Sequence, residues 1–249
     1  MVDVLTQHAR DLDDILSDWP FQPRTVSARL VRAADGREVL QMRVDLGVLQ
    51  METSGRPDGT KPGGAESYLD WLLREAIHWG ETIKLSDGQL EEIEREFSQF
   101  YHRRICWLAV RAFDRAVADA DHTLSLLDFL ERCDVNEDWK RVQTQQRMFV
   151  LFHRTQAAAL AHLETEGAEP AIEEINRGLE SIESLSGPVG AESEPRQMVR
   201  PLRELQDWIR DHYQLDRTLA EQLADAVAAE EYERAARLRD ELARRGRRT

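Results

Sequence analysis

Seven histidines are the first candidates for chemistry, and their spacing gives them no common site. His8, His78, His102, His122, His153, His162 and His212 contain no HExxH pair. His153 and His162 are too far apart to share one helical turn. Cys106 and Cys133 lack a CxxC partner, so neither a cysteine zinc site nor a disulfide framework has its ligands. Both fall within helical patterns and are expected as small, buried packing residues. Pairs such as Glu91-Glu92 and Glu173-Glu174 would do acid–base work only if they converged in a pocket that drove their pKa values apart. In a chain with 47 acidic residues such pairs arise from composition alone. The sequence has no GxSxG elbow, dinucleotide glycine pattern or nuclease-like carboxylate cluster. The expectation is therefore no catalytic residue, no metal ligand and no cofactor.

Two segments could meet an anion. Residues 54–64, SGRPDGTKPGG, are rich in glycine and proline. A phosphate-cradling loop needs GxxxxGK[ST] running directly into a helix, because successive amides and the lysine do the holding. Here Thr60 separates Gly59 from Lys61, and Pro62 removes an amide where the hydroxyl residue should stand, so a structural or partner-facing loop is expected. The second segment is the basic strip Arg237, Arg239, Arg244, Arg245, Arg247 and Arg248. Of these, Arg244, Arg245, Arg247 and Arg248 are the nucleic-acid candidates. Arginines at a helix C-terminus are favoured by the helix dipole and ordinarily form a solvated face, which is the preferred reading. The formal charge of −14 repels nucleic acid and anionic lipid from the molecule as a whole and leaves room only for a local contact.

These residues must be positioned by a largely helical chain. The 249 residues are enough for one full core and a satellite module, and 41 % hydrophobic against 32 % charged residues supports folding. Leu5, Leu12, Ile15 and Leu16 predict a short helix stopped by Trp19 and Pro20. Val26, Ala28 and Leu30 alternate with polar residues, as do Leu40, Met42, Val44, Leu46 and Val48, around Asp35-Gly36. That pattern predicts a β-hairpin with a longer second strand, packed by one face on helices or a partner. From Ala65 to about Leu185 the pattern is helical. Residues 113–129 resemble residues 168–184, with Ala116, Leu124 and Leu127 answering Ala171, Leu179 and Ile182. Each copy follows a helix rich in alanine and aromatics. The pair looks like two tetratricopeptide-like helical hairpins, although the copies are spaced more widely than that family's period of about 34 residues. The stripes should face inward, and a groove between hairpins would be a peptide site.

Gly187, Pro188, Gly190 and Pro195 break the helical pattern. After a lead helix carrying Leu202, Leu205, Trp208 and Ile209, two short stripes follow. Leu219, Leu223, Ala226 and Val227 mark one helix; Tyr232, Ala235, Ala236, Leu238 and Leu242 mark the next. Paired alanines let the axes of such a hairpin approach closely. Residues 219–243, LAEQLADAVAAEEYERAARLRDELA, closely resemble the UVR domain, found at the end of UvrB, inside UvrC and in regulators of Clp-type proteases. The resemblance rests on Leu223, Ala226, Val227, Glu230, Tyr232, Glu233, Ala235, Ala236, Leu238, Arg239, Asp240 and Leu242. It implies a hairpin for protein–protein contact and no nuclease or helicase activity of its own. Arg43 to Glu52 with Gly55 to Gly59 also look like the opening of uncharacterised bacterial proteins that join this hairpin to helical repeats.

The expected fold is α+β and mostly α. A helix and β-hairpin region (1–64) precedes a tetratricopeptide-like body (65–186), a linker (187–197) and a lead helix with the UVR-type hairpin (198–249). The expected function is a non-catalytic adaptor or regulator, with Leu223, Val227, Tyr232, Ala235, Ala236, Leu238, Arg239 and Leu242 as partner-binding residues. A hairpin of about 25 residues cannot bury a core alone, so its apolar face needs the lead helix, a second copy in a homodimer, or another protein. The alternative is a DNA-repair accessory using the arginine strip. With no basic leader and no long apolar run, the chain is expected in the cytoplasm, off the membrane.

Overall fold

Local sequence sets the first strands. In the computed structural model, which describes residues 12–77, 83–186 and 194–245, β1 (Ser27–Arg32) pairs antiparallel with β2 (Glu38–Val44). Asp35-Gly36 closes the turn: Gly36 has φ 87° and donates to the Ala33 carbonyl at 2.9 Å. A glycine takes that left-handed conformation without strain. The anticipated long second strand is in fact two. β2 stops at Val44, Asp45 and Leu46 turn, and β3 (Gly47–Glu52) pairs back antiparallel, giving the order β1-β2-β3. The turn explains why apolar residues shift from even positions before residue 46 to odd positions after it. Leu40 faces Met51 and Met42 faces Leu49 in register, so both sets share one face. Leu46, at the turn, is 90 % exposed.

The chain divides into two compact units, Met1–Val135 and Asn136–Thr249. In the first, α1 (Asp13–Asp18) and the sheet precede α2 (Tyr68–Ala76), α3 (Asp87–Ala109) and α4 (Phe113–Glu131). α3 lies against β1 and β2 and forms a hairpin with α4. Leu40, Leu72, Ile93, Phe100, Trp107, Ala116, Leu126 and Phe129 fill the core. Two-residue strands β4 (Ile83–Lys84) and β5 (Cys133–Asp134) pair in parallel. Ser67 caps α2, and a Ser86–Gln89 capping box starts α3, satisfying amides that have no partner within the helix.

The second unit holds α5 (Glu137–Thr165), α6 (Ala168–Ser186) and α7 (Glu194–Tyr213), followed by α8 (Leu219–Ala228) and α9 (Tyr232–Arg245). α5 and α6 pack on each other and both contact α7. One core joins Ala159, Ala171, Ile172, Ile175, Ile182, Val199, Leu202 and Ile209. The expected inward stripe of α6, Ala171, Leu179 and Ile182, is buried throughout. In α4, Ala116 and Leu127 are buried while Leu124 is half-buried and Leu126 takes the interior position. The protein is thus mostly helical with an N-terminal three-stranded sheet. Among the described residues no helix is long and apolar enough to cross a membrane.

Candidate partner-recognition hairpin

Thr218 starts the C-terminal hairpin. Its hydroxyl accepts from the Glu221 amide at 3.2 Å, and its own amide donates to Glu221 Oε2 at 2.8 Å. This reciprocal cap fixes where α8 begins. The reversal runs through Ala229 to Glu231. Glu230 adopts φ 59°, a left-handed conformation in which glycine is the usual residue, and the Glu231 amide returns to the Ala226 carbonyl at 2.8 Å. α9 then packs along α8.

The candidate residues divide by exposure. Ala226 and Ala235 are buried, as small residues must be where helix axes run close. Leu223, Ala236, Leu238 and Leu242 are half-buried. Val227 is 54 % exposed and Tyr232 69 % exposed, so an aliphatic and an aromatic side chain stand in solvent near the tip. Trp208 of the lead helix is also half exposed and stacks on His212 with ring centroids 5.0 Å apart, while Leu202 and Ile209 enter the core of the unit.

The charged residues of α9 are interleaved. Arg239 directs Nε and Nη2 to Asp240 Oδ1 at 3.1 and 2.8 Å, and Arg244 Nε donates to the Asp240 carbonyl at 3.2 Å. Arg234 pairs with Glu231 at 3.0 Å. Within the strip Arg239 thus pairs with a carboxylate, while Arg244 meets a backbone carbonyl. Arg245 ends the described helix, and Arg247 and Arg248 lie outside the described residues.

The root of the hairpin is polar. Glu221 Oε1 accepts from Asn176 Nδ2 of α6 at 2.9 Å and from Arg210 Nη2 of α7. Asn176 Oδ1 in turn accepts from Gln206 Nε2, and the Leu219 amide donates to Glu169 Oε1 at 3.0 Å. Burial raises the Glu221 pKa, but hydrogen bonds from Asn176 and the Thr218 amide, with the nearby Arg210 charge, outweigh it and hold the carboxyl below its ordinary 4.5. None of these contacts is anticipated from the sequence; the Thr-x-x-Glu spacing at residues 218–221 is the one signal that could have found the cap.

The loop at residues 54–64 buries Arg56 and Pro57 and leaves Asp58 to Lys61 exposed. The Arg56 side chain is buried, donates to Glu92 Oε2 at 2.9 Å, and its backbone amide donates to the Glu66 carbonyl at 2.8 Å. Lys61 is taken up by Glu66 at 2.6 Å. The two cysteines are buried and unpaired with each other. Among the described residues no cluster of histidine, cysteine, aspartate and glutamate has metal-binding geometry.

Comparison with known proteins finds one family feature: the UvrB/uvrC motif matches residues 217–244. No curated protein matches the chain, and no solved structure does. The matched segment begins at the capped root and spans both α8 and α9, so the hairpin at the end of this chain is a UvrB/uvrC motif.

Proposed function

We propose that this protein is a non-catalytic adaptor or regulator that recognises a protein partner through the α8–α9 hairpin, and that it works in the cytoplasm. The observation that carries this reading is the coincidence of the UvrB/uvrC motif at 217–244 with exposed Val227 and Tyr232 flanking half-buried Leu223, Ala236 and Leu238. An aromatic and an aliphatic residue beside such a seam make the kind of small, mostly apolar patch whose burial gains roughly 25 cal/mol per Å², less the ordering costs of association. Partner contact is therefore modest in affinity and centred on Tyr232. A second copy of the hairpin could occupy the same face in a homodimer. The arginine strip supports a nucleic-acid contact less well, because the chain around it carries a formal charge of −14 and Arg239 already pairs with Asp240.

The test compares lysate capture by the intact protein, by Val227→Asp/Tyr232→Asp, by Ala236→Glu and by a chain ending at residue 215. The remaining fold is followed by circular dichroism. The expected result is a set of proteins held by the intact chain and lost from all three altered chains. Capture undiminished in the chain ending at residue 215 would overturn the reading. Light scattering reports the homodimer. DNA affinity that falls steeply as salt rises and disappears without residues 244–249 would favour the arginine strip instead.

A further inference from the structure

We propose that Glu221 is a latch that fixes the direction of the α8–α9 hairpin, and that the hairpin is otherwise an arm able to swing about its root without either helix unfolding. The contacts are concentrated at one end. α6 supplies Asn176 Nδ2 to Glu221 Oε1 at 2.9 Å and Glu169 Oε1 to the Leu219 amide at 3.0 Å. α7 supplies Arg210, whose guanidinium meets Glu221 and also the Asp216 carbonyl, and Gln206, which braces Asn176. All of these act on the first turn of α8 or the segment just before it. Leu219 is the buried apolar peg at the same place.

Away from that root the hairpin stands off the body. One open cleft of about 510 Å³ runs between α6, α7 and α8, lined by Glu173, Asn176, Gln206, Ala220, Glu221 and Ala224. A second, of about 680 Å³, is lined by Glu169, Pro170, Tyr213, Leu215, Leu219 and Leu242. Val227 and Tyr232, farthest from the root, are exposed. α8 and α9 hold each other and carry their own cap and reversal, so the pair can move as one piece. A carboxylate held by a few specific donors has two discrete states, made and broken, as a switchable element requires. The geometry of the arm stands on these contacts alone, while its consequence for recognition rests on the function proposed above.

The experiment places nitroxide labels at Ser184→Cys on α6 and Glu233→Cys on α9 of the full chain and measures the distance distribution between them by pulsed electron spin resonance. Both sites are exposed, and the native thiols are buried. Asn176→Ala/Arg210→Ala removes the latch from the body side and leaves Glu221 to cap α8; Glu221→Gln removes the charge itself. The expected result is a distribution at least about twofold broader in both variants, with helical circular dichroism unchanged. An unchanged distribution in both variants overturns the latch, as does a loss of helix in Asn176→Ala/Arg210→Ala equal to the whole hairpin. The two proposals separate cleanly. Broadening with partner capture unchanged keeps the latch and removes its role in recognition. A narrow distribution, with capture still lost in Val227→Asp/Tyr232→Asp, keeps recognition and removes the latch.

Discussion

Glu96 is fully buried, yet both of its oxygens are supplied with donors. The Tyr68 and Leu69 amides reach it at 2.6 and 3.0 Å, His122 Nε2 lies 2.9 Å away, and Arg56 Nε lies at 3.8 Å. Nearby, Arg103 forks onto Asp119 at 2.9 and 2.7 Å and reaches the Glu52 and Gly55 carbonyls at 3.0 and 2.8 Å. These groups tie the sheet, the loop after it and α2 to α3 and α4. Removing one partner of such a network strands the others in a dry interior, so Glu96→Ala should cost about 3–5 kcal/mol by denaturant unfolding. A loss below about 1 kcal/mol would mean that water replaces the carboxylate. Nothing in the sequence distinguishes Glu96, Arg103 or Asp119 from the other members of a set of 47 acidic and 33 basic residues. Their partners are 16 to 51 positions away, beyond any helical spacing rule. Both cysteines are buried as expected, but only Cys106 lies in a helix; Cys133 falls in the two-residue strand β5, just past the end of α4. Burial pushes Cys106 up to about 12 and Cys133 up to about 11, so both stay protonated near pH 7. Iodoacetamide should therefore modify neither until the protein is unfolded, as read by intact mass.

The α5–α6 pair shows how one small residue sets the approach of two helices. A Cβ added at Gly178 would fall 2.1 Å from Thr155 Oγ1 and 2.7 Å from its Cβ. Gly178→Ala should destabilise the second unit by about 1–3 kcal/mol, since the helices must separate to admit the methyl. Thr155→Ala should restore only part of that loss, because a Cβ remains at residue 155; full restoration in a thermal melt would show that only the hydroxyl and methyl stood in the way. Elements themselves were largely readable. The inward stripe of α6, the Asp35-Gly36 turn and the α8–α9 hairpin all follow from periods of 3.6 or 2 and from turn residues, which act over a few positions. The turn at Asp45-Leu46 was missed because the strong signal for a two-residue hairpin loop is Asn-Gly or Asp-Gly, and leucine stands at the second place here. Its one sign is the change of phase in the apolar alternation, visible only once Leu49 and Met51 are assigned to the same face as Leu40 and Met42. Trp71, packed against the loop so closely that a Cβ on Gly63 would lie 2.5 Å from its Cδ1, likewise depends on contacts across a turn that no periodicity encodes.

At the scale of the molecule, the charge of −14 and the pI near 5.0 decide how pH acts. Two carboxyls with clear roles are held low. For Asp58, burial is outweighed by hydrogen bonds from Gln99 and Thr60 and by the Arg56 charge; for Glu221, burial is outweighed by Asn176, the Thr218 amide and Arg210. A carboxyl whose folded pKa is depressed contributes stability that is complete above its unfolded value and is lost as pH falls through the folded one. These contributions should thus be complete from neutral pH down to the ordinary values, 3.8 for Asp58 and 4.5 for Glu221, and then decline until each folded pKa has been passed. The charged groups that face Glu221 are Arg203 and Arg210 of α7, Glu173, Arg177, Glu180 and Glu183 of α6, and Arg217 with Asp225 of α8. Net charge changes sign near pH 5, where solubility is lowest, so comparison belongs on either side of that point. The spin-label distribution between Ser184→Cys and Glu233→Cys should be narrow near neutral pH and broaden as acid carries Glu221 through its folded pKa, which lies below 4.5. In the Glu221→Gln background, which has no proton to gain at that position, it should already be broad at neutral pH and change little on acidification. Broadening on acidification of the same size in Glu221→Gln, starting from a narrow distribution, would assign the acid response to other carboxylates of the chain and detach it from the root of the hairpin.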